Sequence, residues 1–195
     1  MTDPMPKILA FDTTHAHCAA AILQDGAFRA LRTEEMRKGQ AERLMGLLQD
    51  CLEEANLAWS DLDALAVGIG PGNFTGIRIA VSAVRGLALA LGIPVYGVDG
   101  LAQRAHLYPQ FRAAVPAPRD NVYTIVDDSP AMMPLSEAEE LDYPLCPDPT
   151  PEDLARAIAE IAADRWPEPG ERPAPLYIKP PDAAPAKNPG PQIIA

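Results

Sequence analysis

The feature that most restricts the fold lies between residues 62 and 98. A compact apolar run, Ala64–Val67, leads into Gly70-Pro71-Gly72-Asn73-Phe74-Thr75-Gly76-Ile77-Arg78. A helical stretch from about Gly76 to Leu91 follows, Gly92-Ile93-Pro94 stops it, and Val95–Val98 opens another strand. Strand, crossover helix, strand is the unit of a parallel sheet, so the chain is directed to an α/β fold.

Upstream, Lys7–Phe11 is a short apolar run ending at Asp12, and the polar loop Thr13–His17 separates it from a second run, Cys18–Leu23. Asp25-Gly26 supplies a hairpin turn because both residues tolerate positive φ, and Ala27–Thr33 forms the third strand. From Gly39 to Ala55 apolar residues fall at Ala41, Leu44, Met45, Leu48, Leu52 and Ala55, the spacing of an amphipathic helix. The predicted order is β-β-β-α-β-α-β, hairpins first and parallel crossovers after.

The remainder differs in composition. Residues 1–112 carry 10 Lys/Arg against 12 Asp/Glu, whereas residues 113–195 carry 6 against 15 and hold 17 of the 22 prolines. Proline interrupts helices and ladders alike. The expected organisation is a regular lobe over 1–112, a reduced, proline-rich second lobe over 113–180, and a tail over 181–195. Within the second lobe Asn121–Val126 and Leu176–Ile178 read as strands and Pro151–Asp164 as a helix with proline at its start.

Hydrophobic residues make up 48% of the 195 and charged residues 22%, which permits a packed core. The net charge of −11 opposes phosphate contacts, so the chain is not expected to grip nucleic acid alone. It has no run of about 18 uninterrupted apolar residues and no secretory leader at MTDPMPKILAFDTT, which points to the cytoplasm and away from membranes. Three widely spaced cysteines, Cys18, Cys51 and Cys146, suggest neither a disulfide framework nor a zinc site.

Two motifs carry possible chemistry. In Phe11-Asp12-Thr13-Thr14-His15-Ala16-His17 an acid at a strand end precedes hydroxylated residues. Such a loop holds a metal-bound phosphate when N–H groups and hydroxyls face the anion and the carboxylate faces the cation. The alternative is a structural Asx-type turn. Gly70, Gly72, Thr75 and Gly76 lie where a strand meets a helix N-terminus, a place that favours anions, although the Gly-Lys-Ser/Thr ending of a P-loop is missing. Its alternative is a tight turn with Thr75 capping the helix. His15 and His17 do not make a metal site without further ligands, and His106 reads as an ordinary residue. The helix at 76–91 has only Arg78 and Arg85 as charges and is apolar around most of its circumference, so it needs cover on two sides. Ala83, Gly86 and Ala90 form a small-residue strip along it. No glycine-rich loop and no Gly-x-Ser-x-Gly elbow follows Gly100.

ILAFDTT followed by a hairpin, then ALAVGIGPGNFTGIRIAVSAVRGLALALGIPVYGV, resembles the bacterial TsaB (YeaZ) family over residues 7–104. The resemblance implies an actin-like/sugar-kinase (ribonuclease H-like) fold without catalysis, metal or cofactor, with at most composite ATP/ADP binding inside a complex. It implies an accessory role in making threonylcarbamoyladenosine at position 37 of tRNA. The catalytic subunit there is a TsaD-like protein, a TsaE-like ATPase binds the assembly, and tRNA is met only through the complex. Pairing in the family uses helices corresponding here to Gly39–Ala55 and Gly76–Leu91. That places Leu44, Leu48, Arg78, Ser82, Ala83, Arg85, Gly86 and Ala90 at the interface, with either a homodimer or a monomer as the form of the isolated chain. Asp12, Thr13, Thr14, Gly70, Gly72, Thr75 and Gly76 would then be a degenerate phosphate loop or a surface for the third subunit. The paralogue's histidines would fall near Arg37–Leu44, where this chain has Gln40 instead. Rival readings are an ATP-dependent kinase or ATPase using Asp12 with the Gly70–Gly76 loop, and the metallopeptidase that older family names invoke.

Overall fold

The computed structural model describes residues 5–168 and 170–178. Strands β1 (Ile8–Asp12), β2 (His17–Gln24) and β3 (Ala27–Glu35) are followed by helix α1 (Gln40–Glu54), β4 (Ala64–Gly68), α2 (Phe74–Leu91) and β5 (Val95–Val98). These strands form one five-stranded sheet in the order β3-β2-β1-β4-β5. β1–β2 and β2–β3 pair antiparallel, and β1–β4 and β4–β5 pair parallel. The expected β-β-β-α-β-α-β order is the observed one.

Alternation along each strand sends side chains to opposite faces. Leu9, Phe11, Cys18, Ala20, Ile22, Leu65 and Val67 form one core with Leu44, Leu47, Leu48, Cys51 and Leu52 of α1 and Ala80 and Val84 of α2. Ile8, Ala10, Ala64, Ala66, Tyr96 and Val98 face the other way. They meet Ile158, Ala159 and Ala162 of a helix from far along the chain, α5 (Pro151–Arg165). The sheet is thus covered on both faces, which is why its central strands read as almost unbroken apolar runs. Alanines dominate the α5 side, where Ala19 and Ala21 meet Ala155, so helix and sheet approach closely.

Between β5 and α5 lie α3 (Gly100–Leu107), β6 (Ala114–Ala117), β7 (Asn121–Val126), β8 (Ser129–Pro134) and the single turn α4 (Leu135–Ala138). β6, β7 and β8 make a three-stranded antiparallel sheet with β7 in the middle. Three of the prolines that suggested irregular structure sit on the outer strands, Pro116 in β6 and Pro130 and Pro134 in β8, where a missing N–H costs no internal ladder bond. Asp127 and Asp128, both at positive φ, turn β7 into β8. Thr150 caps α5, its hydroxyl accepting from the Asp153 N–H while the Asp153 carboxylate accepts from the Thr150 N–H.

Two details differ from expectation. Leu176–Ile178 is not a strand; among the described residues one backbone bond, from the Leu176 N–H to the Ile69 carbonyl, ties it to the β4 end. Helix α2 begins at Phe74, because Asn73 rather than Thr75 is the cap, its side chain accepting from the Gly76 N–H at 2.9 Å. Among the described residues helix α2 is covered on one side only, which leaves the second cover its apolar circumference calls for to be met from elsewhere. Gly76, Ile77, Ala80, Val81 and Val84 are its buried residues, and Leu89 is 87% exposed. By length and composition alone α2 is apolar enough to cross a membrane, yet one side of it packs on the sheet. The tail over 181–195 lies outside the described residues.

Candidate functional site

The β1 end and the β4–α2 turn meet backbone to backbone. Asp12 is fully buried, and its carboxylate accepts from the Thr14 N–H (2.7 Å) and the Thr14 hydroxyl (2.9 Å) and lies 3.0 Å from His17 Nε2. Burial by itself raises the Asp12 pKa, but the His17 hydrogen bond and charge, with smaller help from His15 and the Thr14 N–H, hold it below the ordinary carboxylate value. The Thr13 hydroxyl donates to the Gly76 carbonyl at 2.7 Å. A Cβ at Gly76 would overlap the Thr13 carbonyl oxygen, one at Gly72 the Thr14 carbonyl oxygen, and one at Gly68 the Asp12 carboxylate. These glycines serve close approach of two backbone segments. Gly70, at φ +98°, tucks against Ile77 and the Leu176 carbonyl.

The loop is tied from a third direction. The Gln40 amide nitrogen, buried at the start of α1, donates to the carbonyls of His15 (2.7 Å) and His17 (2.7 Å), with Thr13 at 3.3 Å. Of the α2 first-turn donors, the Asn73 N–H goes to the Thr14 carbonyl and the Gly76 N–H to Asn73. Oxygen acceptors, Thr13 and Thr14 carbonyls among them, therefore line the space that glycines leave. Carbonyl oxygens repel anions, and the Asp12 carboxylate already has partners inside the chain. Asp12, Thr13, Thr14, Gly72 and Gly76 are thus brought together, whereas Thr75 is exposed on the far side of the turn. Among the described residues no three His, Cys, Asp or Glu side chains gather as metal ligands would. His106 pairs with Glu160 across α3 and α5 at 2.8 Å.

The second set of predicted residues divides. Leu48 is fully buried and Leu44 is 1% exposed, so Leu48 belongs to the core under α1 and offers nothing to a partner. The periodicity marked the right stripe but not which edge of it turns outward. Arg85 is half-buried, and its Nε donates to the Pro173 carbonyl at 2.7 Å, so it anchors the chain's own C-terminal segment. Arg78, Ser82, Gly86 and Ala90 are exposed along α2, Ala83 is partly so, and a Cβ on Gly86 would meet open space. Between α1 and α2 lies an open groove of about 500 Å³ with Ala41, Leu44, Met45, Phe74, Ile79 and Ala83 on its walls and floor. Met45, Phe74, Ile79 and the exposed Leu89 were not singled out from sequence; the stripe Ala41-Met45 alongside Leu44-Leu48 was the available signal.

A mixed sheet covered by helices on both faces, with the β4–α2 turn locked to the β1 end and α1 and α2 side by side, defines an α/β protein of the YeaZ structural type. YeaZ from Pseudomonas aeruginosa superposes with TM-score 0.71 at 30% identity, covering 89% of this chain and all of that one. A family model described as "TsaD: tRNA N6-adenosine threonylcarbamoyltransferase" matches residues 33–132. The Escherichia coli protein named tRNA threonylcarbamoyladenosine biosynthesis protein TsaB is 37% identical over 99 residues, which are 51% of this chain and 42% of that one. An uncharacterised Mycobacterium tuberculosis protein is 31% identical over 91% of this chain and 94% of its own length. The chain belongs to the TsaB/YeaZ family. It spans about half the length of the first curated TsaB relatives it matches.

Proposed function

We propose that this chain is a non-catalytic subunit in the making of threonylcarbamoyladenosine on tRNA, and that it docks a TsaD-like catalytic protein through α1 and α2. The observation that carries the reading is the pairing of an open apolar groove between those helices with a strand-end loop whose carboxylate and glycine faces are occupied by the chain itself. The naming of its relatives as tRNA threonylcarbamoyladenosine biosynthesis proteins supports the pathway. The proposed architecture is actin-like, the same face serves a homodimer when the chain is alone, and a TsaE-like ATPase and tRNA are met in the assembled complex in the cytoplasm. A kinase or peptidase is disfavoured because phosphoryl transfer needs groups that clamp the nucleotide from both sides, and the Asp12 carboxylate is turned to Thr14 and His17.

Co-purification with the TsaD homologue of the same organism tests the reading. Wild type pairs and restores tRNA modification, and Gly86→Glu, whose side chain enters open space in the free protein, stays folded but loses both. A buried unpaired charge at a helix contact weakens it by about a thousandfold or more. A folded Gly86→Glu protein that still pairs overturns the docking face, and ATP or peptide turnover by the chain alone overturns the non-catalytic role.

A further inference from the structure

At the N-terminal end of the groove one cation is held by two aromatic residues, by the ring of one a helical turn away and by the hydroxyl of one far along the chain. The Arg78 guanidinium carbon lies 3.7 Å from the centre of the Phe74 ring, and Arg78 Nε donates to the Tyr177 hydroxyl at 3.0 Å. The Phe74 and Tyr177 rings pack with centres 5.0 Å apart. Tyr177 is delivered there by the segment 170–178, which leaves the α5 side and rounds the open β5 edge. Tyr96 donates to the Glu168 carbonyl, Arg85 to the Pro173 carbonyl and the Leu176 N–H to the Ile69 carbonyl along the way. Arg78, Phe74 and Thr75 all border the groove. Among the described residues the Nη1 and Nη2 donors of Arg78 have no hydrogen-bond or ion-pair partner, and the residue is exposed.

We infer that the Tyr177–Phe74–Arg78 clamp is the polar specificity element of the docking face, presenting the Nη1/Nη2 end of the guanidinium to a carboxylate on the partner protein. This rests on the docking reading above. With Nε taken by Tyr177, the two remaining end-on donors match the two oxygens of one carboxylate, the bidentate geometry in which arginine exceeds lysine. The rings hold the long side chain in place before association, which lowers the ordering cost that a free surface arginine carries into an interface. Beside an apolar floor, one fixed cation selects among partner helices: a carboxylate at that position is matched, and an apolar or basic one leaves the guanidinium unpaired. Segment 170–178 is thereby part of the docking surface, although its Tyr177 lies 99 positions from Arg78.

Isothermal titration of the full chain against the TsaD homologue, without tRNA and over a series of salt concentrations, tests this. Arg78→Ala is expected to weaken pairing about 10- to 100-fold and to flatten its salt dependence. Arg78→Lys restores only part of the loss, because an ammonium cannot present two parallel donors. Tyr177→Phe, which keeps the ring but removes the acceptor, costs about threefold. Gly86→Glu is run alongside as the measure of the docking reading. If Gly86→Glu abolishes pairing while Arg78→Ala leaves affinity and salt dependence as in wild type, the clamp is refuted and the docking face stands. If Gly86→Glu pairs normally, both fall. If Arg78→Ala changes tRNA retention by the complex but not subunit affinity, the guanidinium meets a phosphate and the inference is overturned.

Discussion

At the scale of single residues the strand-end loop is a polar cluster closed on itself. His15 lies against the Thr14 hydroxyl through Nδ1 (3.0 Å), and its buried Nε2 has no hydrogen-bond partner among the described residues. Burial pushes the His15 pKa below its ordinary 6.5, the Asp12 carboxylate works the other way, Arg104 and His17 push it further down, and Asp148 raises it. The folded chain then binds fewer protons at His15 than the unfolded chain does, so stability is full above 6.5 and declines as pH falls below it. Asp12 follows the same sign at lower pH. Its lowered pKa gives stability that is present above 3.8 and lost only in stronger acid. Urea denaturation between about pH 7.5 and 5.5 therefore reports on His15: the wild-type midpoint drops with acidity, and His15→Gln flattens the drop. Equal pH dependence in the two proteins would refute the assignment. From sequence, Asp12 with Thr13 and Thr14 was visible as a unit, and so was the absence of a P-loop ending. That the glycines at 72 and 76 serve the Thr13 and Thr14 carbonyls was not visible, because two backbones 60 residues apart leave no mark in local pattern.

At the scale of elements, α1 and α2 each present a buried stripe to the sheet and an exposed stripe to the groove. Leu48 is on the first and Met45, 45% exposed, on the second. Leu48→Ala removes packing from a filled core and is expected to cost about 2–5 kcal/mol of stability by chemical denaturation, leaving partner affinity unchanged in the folded fraction. A loss of affinity with unchanged stability would place Leu48 at the interface after all. The spans of α1 and α2 were readable to within two residues, since Gly92-Ile93-Pro94 stops α2 and a 3.6-residue period marks α1, although the cap of α2 is Asn73 and not Thr75. Which flank of a broad apolar stripe faces inward depends on the sheet beneath it. In α2 the stripe covers nearly the whole circumference, so the period carried no direction at all.

At the scale of the molecule, charge and connectivity decide more than local pattern. The net charge of −11 over 195 residues leads to the expectation that the isolated chain shows no tRNA binding at about 150 mM salt by filter binding or fluorescence anisotropy. Tight, salt-sensitive binding by the unpartnered protein would contradict it. The later half of the chain is regular in part: three of its prolines lie on the edge strands β6 and β8 and one opens α5, while 139–150 and 170–178 run without helix or strand. Its helix α5 returns to complete the five-stranded sheet, and segment 170–178 continues round the β5 edge to α2.

The order of strands and helices through Val98, the parallel crossover, the turn glycines and the acidic charge were all determined by the sequence itself. Each follows from residue types a few positions apart, or from a simple count. The return of α5 to the far face of the sheet, the self-closure of the Asp12 loop, the outward turn of Met45 with the inward turn of Leu48, and the meeting of Tyr177 with Arg78 were decided only in the tertiary structure. The longest of these joinings, Ile8 with Ile158 and Arg78 with Tyr177, link residues about a hundred positions apart or more. Which of many apolar surfaces meets which is settled by the burial available to the whole chain, and short-range spacing does not encode it.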